Sequence, residues 1–122
     1  MVESSKEDTI GKPSGSKKFN LHIQGRKLRD LDVISKSDPQ CLVYEKKGEQ
    51  WVKIGETEHI DNDLNPNFKT PITIEYHFEK MQKLKFVMHD IDDDDNYDVI
   101  GDIETTLGAV LHSRNQMFMD RL

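Results

Sequence analysis

The sequence contains a single cysteine, no long apolar run and no basic stripe. The lone thiol, Cys41, excludes an internal disulfide and suits a reducing compartment. No stretch approaches the roughly 18 apolar residues that are needed to cross a bilayer, and the polar start MVESSKEDT lacks the apolar segment of a signal peptide. We therefore expect a soluble, cytoplasmic protein. With 122 residues, of which 34% are hydrophobic, the chain has room for one domain, which excludes a two-domain enzyme.

Negative charge is concentrated in one short stretch. The net charge is -6, from 23 acidic and 17 basic residues. Six acids lie within residues 90–98, and without them the chain would be neutral: Asp90, Asp92, Asp93, Asp94, Asp95 and Asp98. A protein that binds nucleic acid needs clustered lysine and arginine to neutralise phosphates, so this distribution argues against that partner. It favours a cation site instead.

Apolar residues recur with the two-residue period of β-strands. The predicted strands are 19–24, 41–44, 51–58, 72–76, 84–89, 99–106 and 117–122. One short helical turn is predicted at 107–112. This pattern predicts an all-β fold, an antiparallel β-sandwich of about seven to eight strands.

The first 18 residues are predicted to form a flexible polar tail that precedes a single domain at 19–122. They are mostly Ser, Lys, Glu, Gly, Asp and Thr, so too little surface can be buried to offset the entropy of ordering them. We therefore expect no strand before Phe19. An eight-stranded sandwich would then need its final strand from beyond Leu122, or would lack an edge.

Carboxylates recur with a pattern in two segments outside the strands. Asp32 and Asp38 lie six residues apart in LRDLDVISKSDP, and Asp90, Asp92 and Asp98 recur in HDIDDDDNYD. If both loops project from the same end of a sandwich, the five carboxylates repel one another by roughly 4 kcal/mol for each pair near 4 Å. Bound cations make that arrangement tolerable, and carboxylate oxygens select calcium over zinc or copper.

A helix-loop-helix calcium site that starts at Asp90 is the competing metal-site interpretation. It requires glycine at the sixth loop position and glutamate at the twelfth, where this sequence has Asp95 and Gly101. The preceding flank also alternates with period two instead of following a helical pattern. We therefore reject this interpretation.

Several blocks of sequence resemble the C2 domain family, and within it the first C2 domain of the copines. The resemblance covers about 85 percent of the chain, from Phe19 to Leu122. The blocks that carry it are SKSDP at 35–39, LNPNF at 64–68, EYHFEKMQKLKF at 75–86, HDID at 89–92 and IGDIETTLG at 100–108. The resemblance implies a non-enzymatic β-sandwich that docks on membranes in a calcium-dependent manner.

In that family the loop aspartates coordinate calcium, and every one of them has a matching position here. The resemblance therefore implies the metal ligands Asp32, Asp38, Asp90, Asp92 and Asp98. The main-chain carbonyl of Ile91 would be a further ligand. Asp95 stands where many C2 domains have a serine ligand, while Asp93 and Asp94 are interpreted as solvated residues.

The expected partner is an anionic phospholipid membrane, with phosphatidylserine as the favoured lipid and recruitment on a rise in calcium. Val33, Ile34 and Tyr97 are apolar or aromatic residues beside the predicted ligands, so we expect them to contact the membrane. Val33 and Ile34 could equally pack beneath their loop. The alternative function is a calcium-independent protein-protein interaction module with partners that the sequence does not identify.

Other distinctive residues are interpreted as structural. Cys41 lies in a predicted strand, where a buried and inert thiol is expected. Four aromatic residues are predicted to lie in the core: Trp51, Phe68, Phe78 and Phe86. Four lysines are predicted to be ordinary outward-facing residues of the strands and loops: Lys46, Lys47, Lys53 and Lys69. The scattered histidines lie beside no nucleophile, so no catalytic residues are predicted.

Overall fold

Two antiparallel sheets make up the described part of the protein. A computed structural model of the chain describes residues 2–6, 16–26, 28, 38–91, 97–112 and 117–118. The elements are β1 (Val2–Lys6), β2 (Ser16–Ile23), β3 (Pro39–Lys47), β4 (Gln50–Glu56), β5 (Ile72–His77), β6 (Lys83–Ile91), β7 (Tyr97–Thr106), α1 (Leu107–Leu111) and β8 (Met117–Phe118). The first sheet has the strand order β5-β2-β1-β8, and the second has the order β4-β3-β6-β7. The predicted all-β antiparallel fold with one short helix is confirmed.

The core is formed by side chains that alternate inward from both sheets. Leu21 and Ile72 of the first sheet belong to the same buried cluster as Val43, Leu84 and Phe86 of the second. Since side chains one residue apart point to opposite faces of a strand, the period of two in the sequence selects this inward set. The core therefore lies between the two sheets, which is the packing of a sandwich.

A strand, β1, is present in the segment that is predicted from the sequence to be a polar tail. Strand β1 pairs with β2 from Val2 opposite Ile23 to Lys6 opposite Phe19, and it also pairs with β8. Strands pair through main-chain N–H and C=O groups, so a polar segment can add to a sheet without contributing an apolar face. The prediction that no strand precedes Phe19 is wrong, and the strand that the sandwich was expected to lack lies at the amino-terminal side.

The connections around the second sheet follow from local chemistry. Gly48 adopts a φ of 63° in the turn that joins β3 to β4, a left-handed conformation that glycine reaches without a steric penalty. Helix α1 begins after Thr106, whose hydroxyl accepts a hydrogen bond from the Ala109 amide at 3.1 Å. Leu107 and Val110 anchor the helix in the core. None of the described helices is long and apolar enough to cross a membrane.

The aromatic residues divide between core and surface. Phe68 and Phe86 are buried as predicted, whereas Trp51 is only half-buried and Phe78 is half exposed. The core assignment of Phe78 is wrong, because this residue follows the end of β5 in a turn and packs edge-to-face on Tyr76 at 5.2 Å between ring centroids. Trp51 lies under a lysine on the outside of the second sheet, with Lys85 Nζ 4.6 Å from its ring centroid.

Cys41 is buried in β3, as predicted. Burial raises the pKa of its thiol to about 12, so the thiol stays protonated at neutral pH. Its main-chain N–H donates to Thr57 Oγ1 at 2.9 Å, which ties the segment after β4 to β3. This hydrogen bond holds the first residue of the long β4–β5 connection against the second sheet.

Candidate functional site

Three of the predicted ligands lie at one end of the second sheet. Pro39 at the start of β3 is opposite Asp90 near the end of β6, and Asp90 is opposite Asp98 near the start of β7. Asp38 immediately precedes β3. Because neighbouring antiparallel strands run in opposite directions, the start of β3, the end of β6 and the start of β7 meet at the same end of the sheet. We call this end, where Asp38, Asp90 and Asp98 lie, the acidic edge.

Asp90 is a fully buried carboxylate at the centre of this edge. Its side chain is 0% exposed, and its Oδ1 accepts a hydrogen bond from the Asp38 main-chain N–H at 2.9 Å. Its other oxygen, Oδ2, has no hydrogen-bond partner among the residues that the structure describes. A buried polar atom without a partner costs stability, and the cost is greater for a charged group. Such an oxygen is suited to accept a cation.

Asp38 joins three segments of the chain at this edge. Its carbonyl oxygen accepts a hydrogen bond from the Ile91 amide at 3.0 Å, which extends the β3–β6 pairing by one residue. Its carboxylate Oδ1 accepts a hydrogen bond from the main-chain N–H of Asn62 at 2.6 Å. The carboxylate is therefore held by the β4–β5 connection while the main chain is held by β6.

Asp98 is an exposed residue directly across from Asp90. Opposite residues of an antiparallel pair have their Cβ atoms about 5 Å apart, so like charges at these positions are destabilising. The pairing brings a second carboxylate within reach of the same small volume. A cation between the two strands would remove this repulsion.

Tyr97 and His89 form an aromatic stack beside the acidic edge. Their ring centroids are 4.1 Å apart and their planes differ by 15°. Burial lowers the pKa of His89 from its ordinary value, while the charge of Glu56 opposes that shift. Tyr97 itself is 55% exposed and Val99, which follows Asp98 on β7, is 49% exposed. The edge therefore presents apolar surface next to its carboxylates.

The remaining predicted site residues lie outside the described part of the chain. These are the ligands Asp32 and Asp92 and the membrane-contacting residues Val33 and Ile34. The residues that the structure describes contain no group of three or more His, Cys, Asp or Glu that could by itself hold a metal ion. Of the predicted ligands, Asp38, Asp90 and Asp98 lie at the described edge, together with the main chain of Ile91.

Sequence reasoning missed the contribution of the β4–β5 connection. Asn62 in this connection has a φ of 53°, a left-handed conformation that asparagine tolerates better than other residues with a Cβ atom. The asparagine in HIDNDLNPN is a weak signal for such a turn. Its contact with Asp38 has a separation of 24 residues, which no local pattern reveals.

Comparisons with known proteins agree on the family and on the fold. The family model described as "C2 domain" matches residues 20–121. Copine-A of Dictyostelium discoideum is 50% identical to this chain over 106 residues, which cover 86% of this chain and 17% of the relative. Copine-B of the same organism is 38% identical over 114 residues, with coverage of 86% and 22%. The chain thus spans about a fifth of the length of the curated relatives that it matches.

Solved structures share the architecture at low sequence identity. The human GIVD cytosolic phospholipase A2 superimposes with a TM-score of 0.67 and 18% identity, over 85% of this chain and 14% of that chain. BON1-C2B superimposes with a TM-score of 0.63 and 20% identity, over 80% and 68%. At this identity the superpositions establish a common fold, and the larger phospholipase is matched over a small part of its length.

Proposed function

Because this chain belongs to the C2 domain family of membrane- and protein-interaction modules and is similar to copines, we propose that it binds phospholipid membranes in a calcium-dependent manner. The proposed module is not an enzyme: it acts by binding. It is proposed to reside in the cytoplasm and to reach membranes peripherally when calcium rises.

The observation that carries this proposal is the unpartnered oxygen of Asp90. A fully buried carboxylate normally has both oxygens satisfied, and here Oδ2 has no partner within the described residues. Asp98 across the strand pair adds charge of the same sign at the same edge. Both features are unfavourable in a protein that binds no cation, and both become favourable when a cation is bound.

The donor set fits calcium by its chemistry. Carboxylate oxygens of Asp38, Asp90 and Asp98 and the carbonyl oxygen of Ile91 are hard ligands, and calcium accepts six to eight oxygens in adaptable geometry. Asp32 and Asp92 complete the proposed set from outside the described residues. When bound, calcium would supply positive charge and free coordination positions for an anionic headgroup.

The membrane surface is proposed to lie around the same edge. An acidic edge alone is repelled by the anionic cytoplasmic leaflet, so a calcium-dependent change of sign would switch binding on. Phosphatidylserine is the proposed lipid because its phosphate and carboxylate oxygens match the ligand type. Exposed Tyr97 would enter the headgroup region, together with Val33 and Ile34 from the first acidic loop. Lipid and calcium would then strengthen each other's binding reciprocally.

Calorimetric titration with calcium, in the presence and absence of phosphatidylserine vesicles, tests the proposal. We expect heat on addition of calcium and a higher calcium affinity with vesicles. The variants Asp38→Asn and Asp98→Asn should weaken calcium binding, because each loses a charged oxygen ligand. A matched control is Asp102→Asn, an exposed acid further along β7 and about 13 Å from Asp98 by strand geometry.

Membrane contact is tested separately by vesicle sedimentation with calcium present. Replacing both Val33 and Ile34 with Ser should weaken vesicle binding, since a well-buried apolar side chain contributes up to roughly 1.5 kcal/mol. The calcium affinity measured without vesicles should stay nearly unchanged. Vesicle binding equal to that of the wild type would contradict the proposed contact.

A calcium-independent protein-interaction module is the second candidate function. It is favoured by apolar exposure at the other end of β6, where Phe78 is 50% and Met81 is 78% exposed in the β5–β6 turn. Absence of any calcium heat, with or without vesicles, would support this candidate over the first. The same calorimetric experiment therefore separates the two.

A further inference from the structure

The β4–β5 connection is held firmly against the second sheet. The Ile60 amide donates to the Pro39 carbonyl at 3.0 Å, and the Thr57 amide donates to the Cys41 carbonyl at 2.8 Å. At the far side, the Glu58 carboxylate accepts hydrogen bonds from the Lys69 and Thr70 amides at 2.7 and 3.1 Å. These bonds fix the connection on both sides of the turn that contains Asn62.

Asn62 has a backbone conformation that serves its contact with Asp38. Its φ of 53° lies in the left-handed region, and it is the one non-glycine residue with a positive φ in the described part of the chain. In this conformation its amide donates to Asp38 Oδ1 at 2.6 Å. Asn62 is exposed, so burial of its side chain does not explain why the chain adopts this conformation.

The Asn62–Asp38 contact affects the acidic edge because the main chain of Asp38 is also hydrogen-bonded to β6. The Asp38 amide donates to Asp90 Oδ1 at 2.9 Å, and its carbonyl accepts from the Ile91 amide at 3.0 Å. With one carboxylate oxygen held by Asn62, the rotation of the Asp38 side chain is restricted. A carboxylate that is already oriented loses less rotamer entropy when it coordinates an ion.

We propose that Asn62 is a positioning residue of the calcium site, which acts through Asp38. This inference rests on the proposed calcium-binding function and adds the β4–β5 connection to it. The required feature is the left-handed backbone at position 62. Glycine at this position should therefore serve as well as asparagine, whereas a β-branched residue should not.

Calcium titrations of the variants Asn62→Gly and Asn62→Val test the inference. Asn62→Val should weaken calcium binding about tenfold, the scale of a hydrogen bond to a charged group. Asn62→Gly should bind within about twofold of the wild type, because glycine keeps the conformation without strain. Asn62→Ala is the second variant if valine prevents folding, and a smaller loss in the same direction is expected.

The matched control is Asn67→Val, the same replacement in the same connection. Asn67 is exposed and forms an antiparallel bridge with Gln24, so its extended backbone accepts a β-branched residue. This control should bind calcium within about twofold of the wild type. A loss equal to that of Asn62→Val would mean that any valine in the connection is harmful, and it would overturn the inference.

Thermal unfolding in EDTA supplies a readout that needs no calcium. If Asn62 acts through Asp38, the decrease in melting temperature caused by Asn62→Val should shrink in the Asp38→Ala background, as in a double-mutant cycle. Additive decreases would overturn the inference. Wild-type calcium affinity in Asn62→Val would overturn it while the proposed function stands, whereas a wild type that binds no calcium would overturn both.

Discussion

A buried carboxylate lies at each end of the β3–β6 strand pair, and the two carboxylates differ in their hydrogen-bond partners. At one end, Glu45 of β3 is 7% exposed and its Oε2 accepts from Gln82 Nε2 at 3.1 Å, while Lys47 Nζ lies 3.4 Å from its Oε1. At the other end, Asp90 is 0% exposed and its Oδ2 has no partner within the described residues. Both carboxylates are therefore buried, but Glu45 has a partner at each of its oxygens, whereas within the part of the chain that the structure describes Asp90 has one at Oδ1 alone.

The satisfied end is organised around Gln82. Its amide oxygen accepts from the His77 amide at 2.8 Å, and its amide nitrogen donates to the Glu75 carbonyl at 2.9 Å as well as to Glu45. These contacts join the β5–β6 turn to β3. A buried polar network with all its members satisfied contributes to stability, whereas an incompletely satisfied one suits a binding site. The contrast separates a structural end of the sheet from the end that is proposed to bind calcium.

The largest expected effect is a loss of stability when the hydrogen bonds of Gln82 at the Glu45 end are removed. Gln82→Ala leaves the His77 amide, the Glu75 carbonyl and the Glu45 carboxylate each without this partner. At about 1 kcal/mol or more for each group, we expect the free energy of unfolding to fall by about 3 kcal/mol. Urea denaturation in EDTA measures this change.

A glutamine on the surface provides the control for that measurement. Gln50→Ala on β4 makes the same replacement at an exposed position and should change the free energy of unfolding by less than about 0.5 kcal/mol. Calcium affinity should be unaffected in a folded Gln82→Ala protein. A loss of stability no greater than that of the control would show that the network does not stabilise the fold.

The second-largest expected effect is weaker calcium binding on replacement of Asp90, with little change in stability. Asp90→Asn keeps the shape of the side chain and an oxygen for the Asp38 amide, but it removes the charge. We expect calcium binding to weaken about a hundredfold, or about 2.8 kcal/mol. The free energy of unfolding in EDTA should change by less than about 1 kcal/mol, because the repulsion from Asp98 is relieved while the new amide group lacks a partner.

Glu45→Gln is the matched control, since it neutralises the buried carboxylate at the satisfied end. Calorimetry should find its calcium affinity within about twofold of the wild type. Equal loss of calcium affinity in Asp90→Asn and Glu45→Gln would remove the distinction between the two ends. A large loss of stability in Asp90→Asn without calcium would instead make Asp90 a structural residue.

The strands could be predicted from the sequence where side chains determine their position. Leu84, Phe86 and Met88 alternate in the sequence and are all buried on one face of β6. Strand β1 could not be predicted in this way, because its position is determined by main-chain pairing with β2. The core position predicted for Phe78 is wrong, because Phe78 lies in a turn and packs against Tyr76 instead.

The residues of the candidate site likewise include some that the sequence predicts and some that it does not. Asp38, Asp90 and Asp98 could be selected by their types and spacing, and the strand pairing explains why they share one edge. The roles of Asn62 and Gln82 depend on contacts with distant segments, so neither residue is distinctive in the sequence. The predicted ligands Asp32 and Asp92 lie outside the described residues, and their roles stay predictions.

The smallest expected effect is a pH dependence of stability from the aromatic stack at the acidic end. Burial lowers the pKa of His89 below the 6.5 of the unfolded chain. As pH falls below about 6.5, the unfolded state binds the proton first, so stability in EDTA should decrease. Tyr97→Ala uncovers the imidazole and should move the pKa of His89, measured by NMR titration, back toward its ordinary value. A folded His89 that titrates at or above 6.5 would contradict this, and would mean that the acidic end attracts a proton on His89 more strongly than burial excludes it.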